Sequence, residues 1–133
     1  MNPLTAADAR RVLDAAVAHA EQMPQPMVIA VVDAAAHLVA FLRMDGAILG
    51  SIDVAQRKAR TSALFRTATG ELHAAVAGPE APLHGLDTTN RGLIVFGGGE
   101  PLLRDGEVIG AIGVSAGTAE QDTEVARAGT TAL

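Results

Sequence analysis

An apolar run broken twice by glycine, Gly106-Glu-Val-Ile-Gly-Ala-Ile-Gly-Val-Ser-Ala-Gly117, sets the strongest constraint on how this chain folds. Apolar side chains fall on both parities, and Asp105-Gly106 at its start is a strong hairpin signal, so the segment reads as a strand buried on both faces. Val108, Ile112 and Val114 are expected on one face, and Ile109, Ala111 and Ser115 on the other. Gly110 and Gly113 weaken a strand on propensity alone; their use is to let another backbone, a packed helix or a ligand come close. A strand with hairpin partners beside it and a helix after it belongs at the centre of a sheet.

The preceding chain supplies those partners. Residues 4–23 have helical periodicity, with Thr5 as N-cap and Asp8 near the positive end of the helix, and Pro24 and Pro26 stop it. Residues 27–33 and 37–43 read as an antiparallel hairpin, the first strand almost wholly apolar. A helix is expected over about 50–66, with Ser51 as candidate N-cap and Asp53 and Arg57 as an i,i+4 ion pair. At about 100° per residue, Ile52, Ala55, Ala59 and Ala63 form one apolar strip and Val54, Thr61 and Phe65 a second, leaving Gln56, Arg57 and Arg60 exposed. Lys58 falls between the two strips, where it either snorkels to a free edge or is paired inside a crevice. A weak helix over 71–77 leads into an irregular loop reaching about Arg91, long enough to suggest a functional or subunit-contacting segment. Residues 92–96 read as a short strand, 97–101 as a flexible turn, 102–104 as the hairpin partner of the opening run, and 118–128 as a closing helix. The order is α-β-β-α-α-β-β-β-α, which predicts one α+β domain over 1–133: an antiparallel sheet of about five strands flanked by helices, in a profilin-like layout.

Composition narrows the function. The 133 residues are 49% apolar, which excludes a disordered chain, yet no apolar run approaches the roughly 20 residues of a membrane span. A net charge of −5 argues against a nucleic-acid surface, and three Phe with no Tyr or Trp leave no stacking platform for single strands. The absence of cysteine removes disulfides, thiolate nucleophiles and Cys-type zinc sites. The N-terminal stretch has neither a basic nor an apolar signal region, so a cytoplasmic protein is expected. Ala-rich helix faces suit a subunit that assembles with copies of itself.

The sequence has no G-x-S-x-G elbow, Walker loop, HExxH or Rossmann fingerprint. The polar residues that end strands or interrupt apolar faces are Asp33, Arg43, Asp45, Lys58, Glu100 and Ser115. If Arg43, Asp45 and Lys58 converge, they make a pocket for a small carboxylate or for the propionates of a porphyrin, because guanidinium binds carboxylate bidentately. An internal pair that only pins the turn is the structural alternative. In an enzyme, Lys58 and Arg43 would hold a substrate carboxylate while Asp45 or Glu100 served as acid or base. His19 is either a boundary histidine or a ligand to a metal or haem, and His37 either an exposed turn histidine or a ligand-binding one.

Taken together, Val31-Val-Asp-Ala-Ala-Ala-His-Leu-Val39, Arg43-Met-Asp-Gly-Ala47, Lys58-Ala-Arg-Thr61, Gly97-Gly-Gly-Glu-Pro-Leu102 and Gly110-Ala-Ile-Gly-Val-Ser-Ala-Gly117, followed by Gln121-Asp122, carry a resemblance. The chain resembles the HbpS-like haem-binding family, which takes in GlcG and the C-terminal domain of PduO-type adenosyltransferases. It departs from that pattern at Ala35-Ala36, where a Gly-Gly-type turn is usual, and at Ala116, where a glycine usually follows the serine. The resemblance implies a compact subunit of a homo-oligomer that binds haem or a related tetrapyrrole, with members in catabolic gene clusters. The alternative is a lyase, isomerase or hydrolase acting on a small organic acid or aromatic catabolite.

Overall fold

The computed structural model describes residues 2–133. Helix α1 (Ala6–Gln22) leads into the hairpin β1 (Val28–Asp33) and β2 (Leu38–Arg43), then helix α2 (Ser51–Phe65) and the single turn α3 (His73–Val76). The hairpin β3 (Gly99–Arg104) and β4 (Glu107–Ser115) follows, and α4 (Ala119–Thr130) closes the chain. The sheet is antiparallel throughout, in the order β2-β1-β4-β3, so the glycine-interrupted strand is indeed central.

The sheet has four strands where five were expected. Residues 92–96 are irregular and join no ladder: Leu93 is buried, and the amide of Ile94 donates to Thr61 Oγ1 on α2. The edge of β4 they would have needed is taken by β3, which starts at Gly99 rather than Leu102 and includes Glu100 and Pro101. A proline is tolerated there because β3 is an edge strand and its outward side needs no donor. The Asp105-Gly106 turn has positive φ at both residues (53° and 80°), as a two-residue hairpin requires.

The two faces of the sheet carry two cores. Ala9, Val12 and Ala16 of α1 and Val125 and Ala126 of α4 pack with Ile29, Val31, Ile112 and Val114. On the opposite face Ala55, Ala59 and Ala63 of α2 lie on Val28, Ala30, Val32 and Ala111. Ile109 joins the first core, against the simple alternation of the strand. Gly110 pairs with Leu102 and Val108 with Leu103, and the irregularity between those pairs turns Ile109 to the side of Ile112.

The two helices of the first core, α1 and α4, begin with reciprocal caps. Thr5 and Asp8 form a capping box on α1, and Thr118 and Gln121 do the same on α4. Ser51 is not the cap of α2; Gly50 stands there, without a side-chain bond, and Ser51 is the first helical residue. Asp8 also takes Arg104 from β3 and Arg11, so it ties the start of α1 to the sheet edge. The Thr5 amide, with Arg104 and Arg11, holds the Asp8 carboxyl well below the usual carboxylate range. A group with a depressed native pKa contributes stability above its unfolded pKa and loses it as pH falls. Asp8→Asn is therefore expected to lower the thermal midpoint at neutral pH, with the gap to wild type closing below about pH 4. A pH-independent gap in melting curves would remove the charge from this account.

Candidate functional site

Lys58 resolves as the crevice reading rather than the snorkelling one. It lies on the sheet side of α2 and is fully buried. Its Nζ donates to Asp122 Oδ2 at 2.9 Å and to the Val114 carbonyl at 2.8 Å, with the Phe96 ring centroid 4.8 Å away. Asp122, in the first turn of α4, is also buried, and its Oδ1 accepts from the Gly117 amide at 2.9 Å. Gly98 makes room for the amine: a Cβ there would come within 2.5 Å of Nζ. Burial pushes the Lys58 amine down and the Asp122 carboxyl up, and the mutual hydrogen bond and charge work against both shifts. The pair locks α2, the end of β4 and the start of α4 to one another. Asp122 went unassigned in the sequence because its partner is 64 positions away; the one signal was its place just after the Ser115 turn.

The other candidates are dispersed. Arg43 and Asp45 are exposed at the end of β2, and among the described residues neither forms an ion pair with the other or with Lys58. Asp33 serves the hairpin turn, its Oδ1 accepting from the amides of Ala35 and His37, both at 2.9 Å. His37 is largely exposed, with its Nδ1 3.6 Å from Asp33 Oδ2. His19 is engaged: its Nε2 is 2.6 Å from Glu124 Oε2, joining α1 to α4. Glu100 is mostly buried and 3.6 Å from Arg127 Nε; burial raises its pKa, against the lowering effect of Arg127. Ser115 is buried and donates to Ser51 Oγ at 3.1 Å. Of the departures at Ala35-Ala36 and Ala116, Ala36 and Ala116 have positive φ (67° and 104°), the conformation for which glycine is suited, and Ala35 does not.

Two open concavities stand out among the described residues. The larger, about 670 Å³, lies where both hairpin turns meet the end of α2, lined by Leu4, Asp33, Ala35, Arg66, Val108 and Ile109. Its wall is partly apolar and carries one guanidinium, Arg66, beside two carboxylates, Asp33 and Glu107, and its size falls in the range of ligand clefts, roughly 300–1,000 Å³. His37 follows Ala35 by two residues on the same turn. The smaller, about 290 Å³, lies between α2 and β2. Among the described residues no three His, Asp or Glu side chains gather as a metal cluster.

Fold and site together define a small α+β domain with a closed ion pair at its centre and open clefts at its margins. The chain belongs to the family described as haem degrading protein HbpS-like, whose model matches residues 4–131. It is similar to an uncharacterized 15.0 kDa protein from the dhaT-dhaS intergenic region of Citrobacter freundii, 42% identical over 90% of this chain and 84% of that one. The corrinoid adenosyltransferase PduO of Citrobacter freundii is 42% identical over 90% of this chain, which spans only 36% of that protein. Among solved structures, the haem complex of PduOC superposes with a TM-score of 0.94 at 38% identity, covering 99% of this chain and 96% of that one.

Proposed function

We propose that this chain is a cytoplasmic, homo-oligomeric haem-binding protein. The observation that carries the reading is the likeness to the PduOC–haem complex across nearly the whole chain. The larger groove is the place offered here: Leu4, Val108 and Ile109 would face the porphyrin and Arg66 a propionate, with His37, two residues past Ala35 on the turn at its rim, as the axial histidine. Bound haem would supply a redox-active iron, while the chain's own residues hold the macrocycle and limit its access to water. The enzyme alternative has less support, because a substrate carboxylate would have to displace the Lys58–Asp122 pair. Oligomerisation is supported by Ile48 and Leu49, 67% and 66% exposed beside the edge strand β2, itself carrying exposed Leu38 and Leu42. A cysteine-free chain fits a reducing compartment.

A haemin titration followed in the Soret region, with mass measured by light scattering on the same sample, tests both parts. Saturation at a fixed ratio per subunit is expected, weakened at least about tenfold in His37→Ala and unchanged in His19→Ala, as expected for loss of an axial ligand. Ile48→Asp with Leu49→Asp is expected to reduce the mass to that of a smaller species. Haemin uptake without saturation would overturn the haem reading, and a monomeric wild type the oligomer.

A further inference from the structure

The smaller cleft brings together two arginines that the sequence placed on the exposed sector of α2, Arg57 and Arg60, and one at the end of the loop, Arg91. Helix α2 packs chiefly on β1, β4 and β3, and the cleft lies beside it over the outer part of the hairpin. Val32, Ala36 and Leu38 line the hairpin side, and Arg57, Arg60 and Arg91 line the other. Three of the chain's nine arginines thus meet in one cleft of a protein whose net charge is −5. The acid on the wall among the described residues, Asp53, is already paired with Arg57 Nε at 2.7 Å.

Part of this guanidinium capacity holds the loop. Arg57 Nη1 donates to the carbonyls of Arg91 and Gly92, and Arg60 Nη1 to that of Asn90. Asn90, Arg91 and Gly92 are consecutive residues with positive φ (52°, 60° and 98°), a strained run that places Arg91 at the cleft. Beyond those bonds, Arg57 Nη2, Arg60 Nη2 and Nε, and the whole Arg91 fork have no protein acceptor among the described residues. Gln56 donates to the Ile52 carbonyl, which leaves its amide oxygen as the neutral polar group on the wall.

We infer that this cleft is a second ligand site, separate from the haem groove, for a small organic anion. Its carboxylate or phosphate group would lie on the free guanidinium edges of Arg60 and Arg91, and its short apolar body on Val32, Ala36 and Leu38. Guanidinium is the side chain best shaped for such oxyanions, which it takes bidentately. The size is the second argument: about 290 Å³ is at the lower limit of ligand clefts and too small for a tetrapyrrole.

Backbone-amide NMR of the full chain, titrated in turn with butyrate, succinate and inorganic phosphate, tests this. At least one probe is expected to saturate, with shifts centred on residues 53–60 and 90–92. Arg91→Ala, whose side chain holds no loop bond, and Arg60→Lys, which keeps the charge but loses the fork, are each expected to weaken that probe about tenfold or more. Arg10→Ala, exposed on α1, is expected to leave it unchanged. Tighter binding of phosphate than of succinate assigns the ligand a phosphoryl group, and the reverse order a carboxylate. No saturation by any probe, shifts centred elsewhere, or undiminished affinity in both arginine variants would overturn the proposal. Competition between haemin and the bound probe would assign the arginines to the tetrapyrrole and overturn the second site, whereas failure of haemin to bind leaves the result of the titration standing.

Discussion

Gly113→Ala is expected to be among the most damaging single-methyl changes in this chain. Gly113 pairs with Gly99 on one side and Ala30 on the other, and α2 crosses directly above. A Cβ on Gly113 would overlap the Ala55 carbonyl oxygen and come within 2.5 Å of the Ala59 amide nitrogen. A Cβ on Gly99 would meet the Lys58 carbonyl oxygen at 2.6 Å. The helix therefore rests on a pair of glycines, and the atoms that a Cβ on Gly113 would strike belong to backbone packed on all sides. Overpacking ordinarily costs about 1–3 kcal/mol, because side chains give way. Here α2 itself would have to lift, which also opens the alanine strip of the second core, so a loss of at least about 3 kcal/mol is expected. Gly50→Ala is the control: nothing lies within 4 Å of its Cβ position and its φ is −59°, so its stability should stay within about 0.5 kcal/mol of wild type. Urea unfolding of the two variants decides it; a Gly113→Ala loss below about 1 kcal/mol would mean that α2 does not sit as close as the structure has it.

The glycines were readable because a strand interior penalises them, so their presence requires a close neighbour. The chain also announced its hairpins and the cap at Thr5, since turns and caps depend on residues a few positions apart. Residues 92–96 were misread for the opposite reason. An apolar extended segment shows the same pattern whether it pairs in a ladder or leans on a helix, and only the whole sheet decides which edge is free. The site suffered most. Arg43, Asp45 and Lys58 are close in sequence, but Lys58 finds its acid on α4, and the exposed hairpin end keeps Arg43 and Asp45. Arg57 and Arg60 could be placed on the exposed sector of α2, whereas their meeting with Arg91 depends on the left-handed run at residues 90–92.

Lys58→Met is the second change expected to remove a large part of the domain's stability. The substitution puts an unbranched apolar thioether in place of the butylammonium, so the packing against Phe96 has a substitute while Asp122 loses its cation and the Val114 carbonyl its donor. Breaking a buried pair from one side costs about 3–5 kcal/mol, against a total stability of about 5–15 kcal/mol for an ordinary domain. The directions of the two pKa shifts say why. Burial lowers the native pKa of Lys58, so in that window the unfolded chain binds more protons and stability rises with pH. Burial raises that of Asp122, so there the native state binds more protons and stability rises as pH falls. Both shifts mark the ionised forms as strained by desolvation, and each charge is tolerated because the other is present. Without the amine, the lowering influence of Lys58 on Asp122 is gone, and native Asp122 takes up a proton more readily still. The deficit of Lys58→Met is therefore expected to be smaller at about pH 5 than at about pH 7.5. Adding Asp122→Asn, which removes the stranded charge and keeps an oxygen for the Gly117 amide, should recover more than about 1 kcal/mol at neutral pH. A double-mutant cycle in urea at both pH values reads all three quantities. A single-variant loss under about 1 kcal/mol, or a double variant no more stable than Lys58→Met, would show that the fold does not depend on the pair as a unit, and would release Lys58 for a role in ligand chemistry.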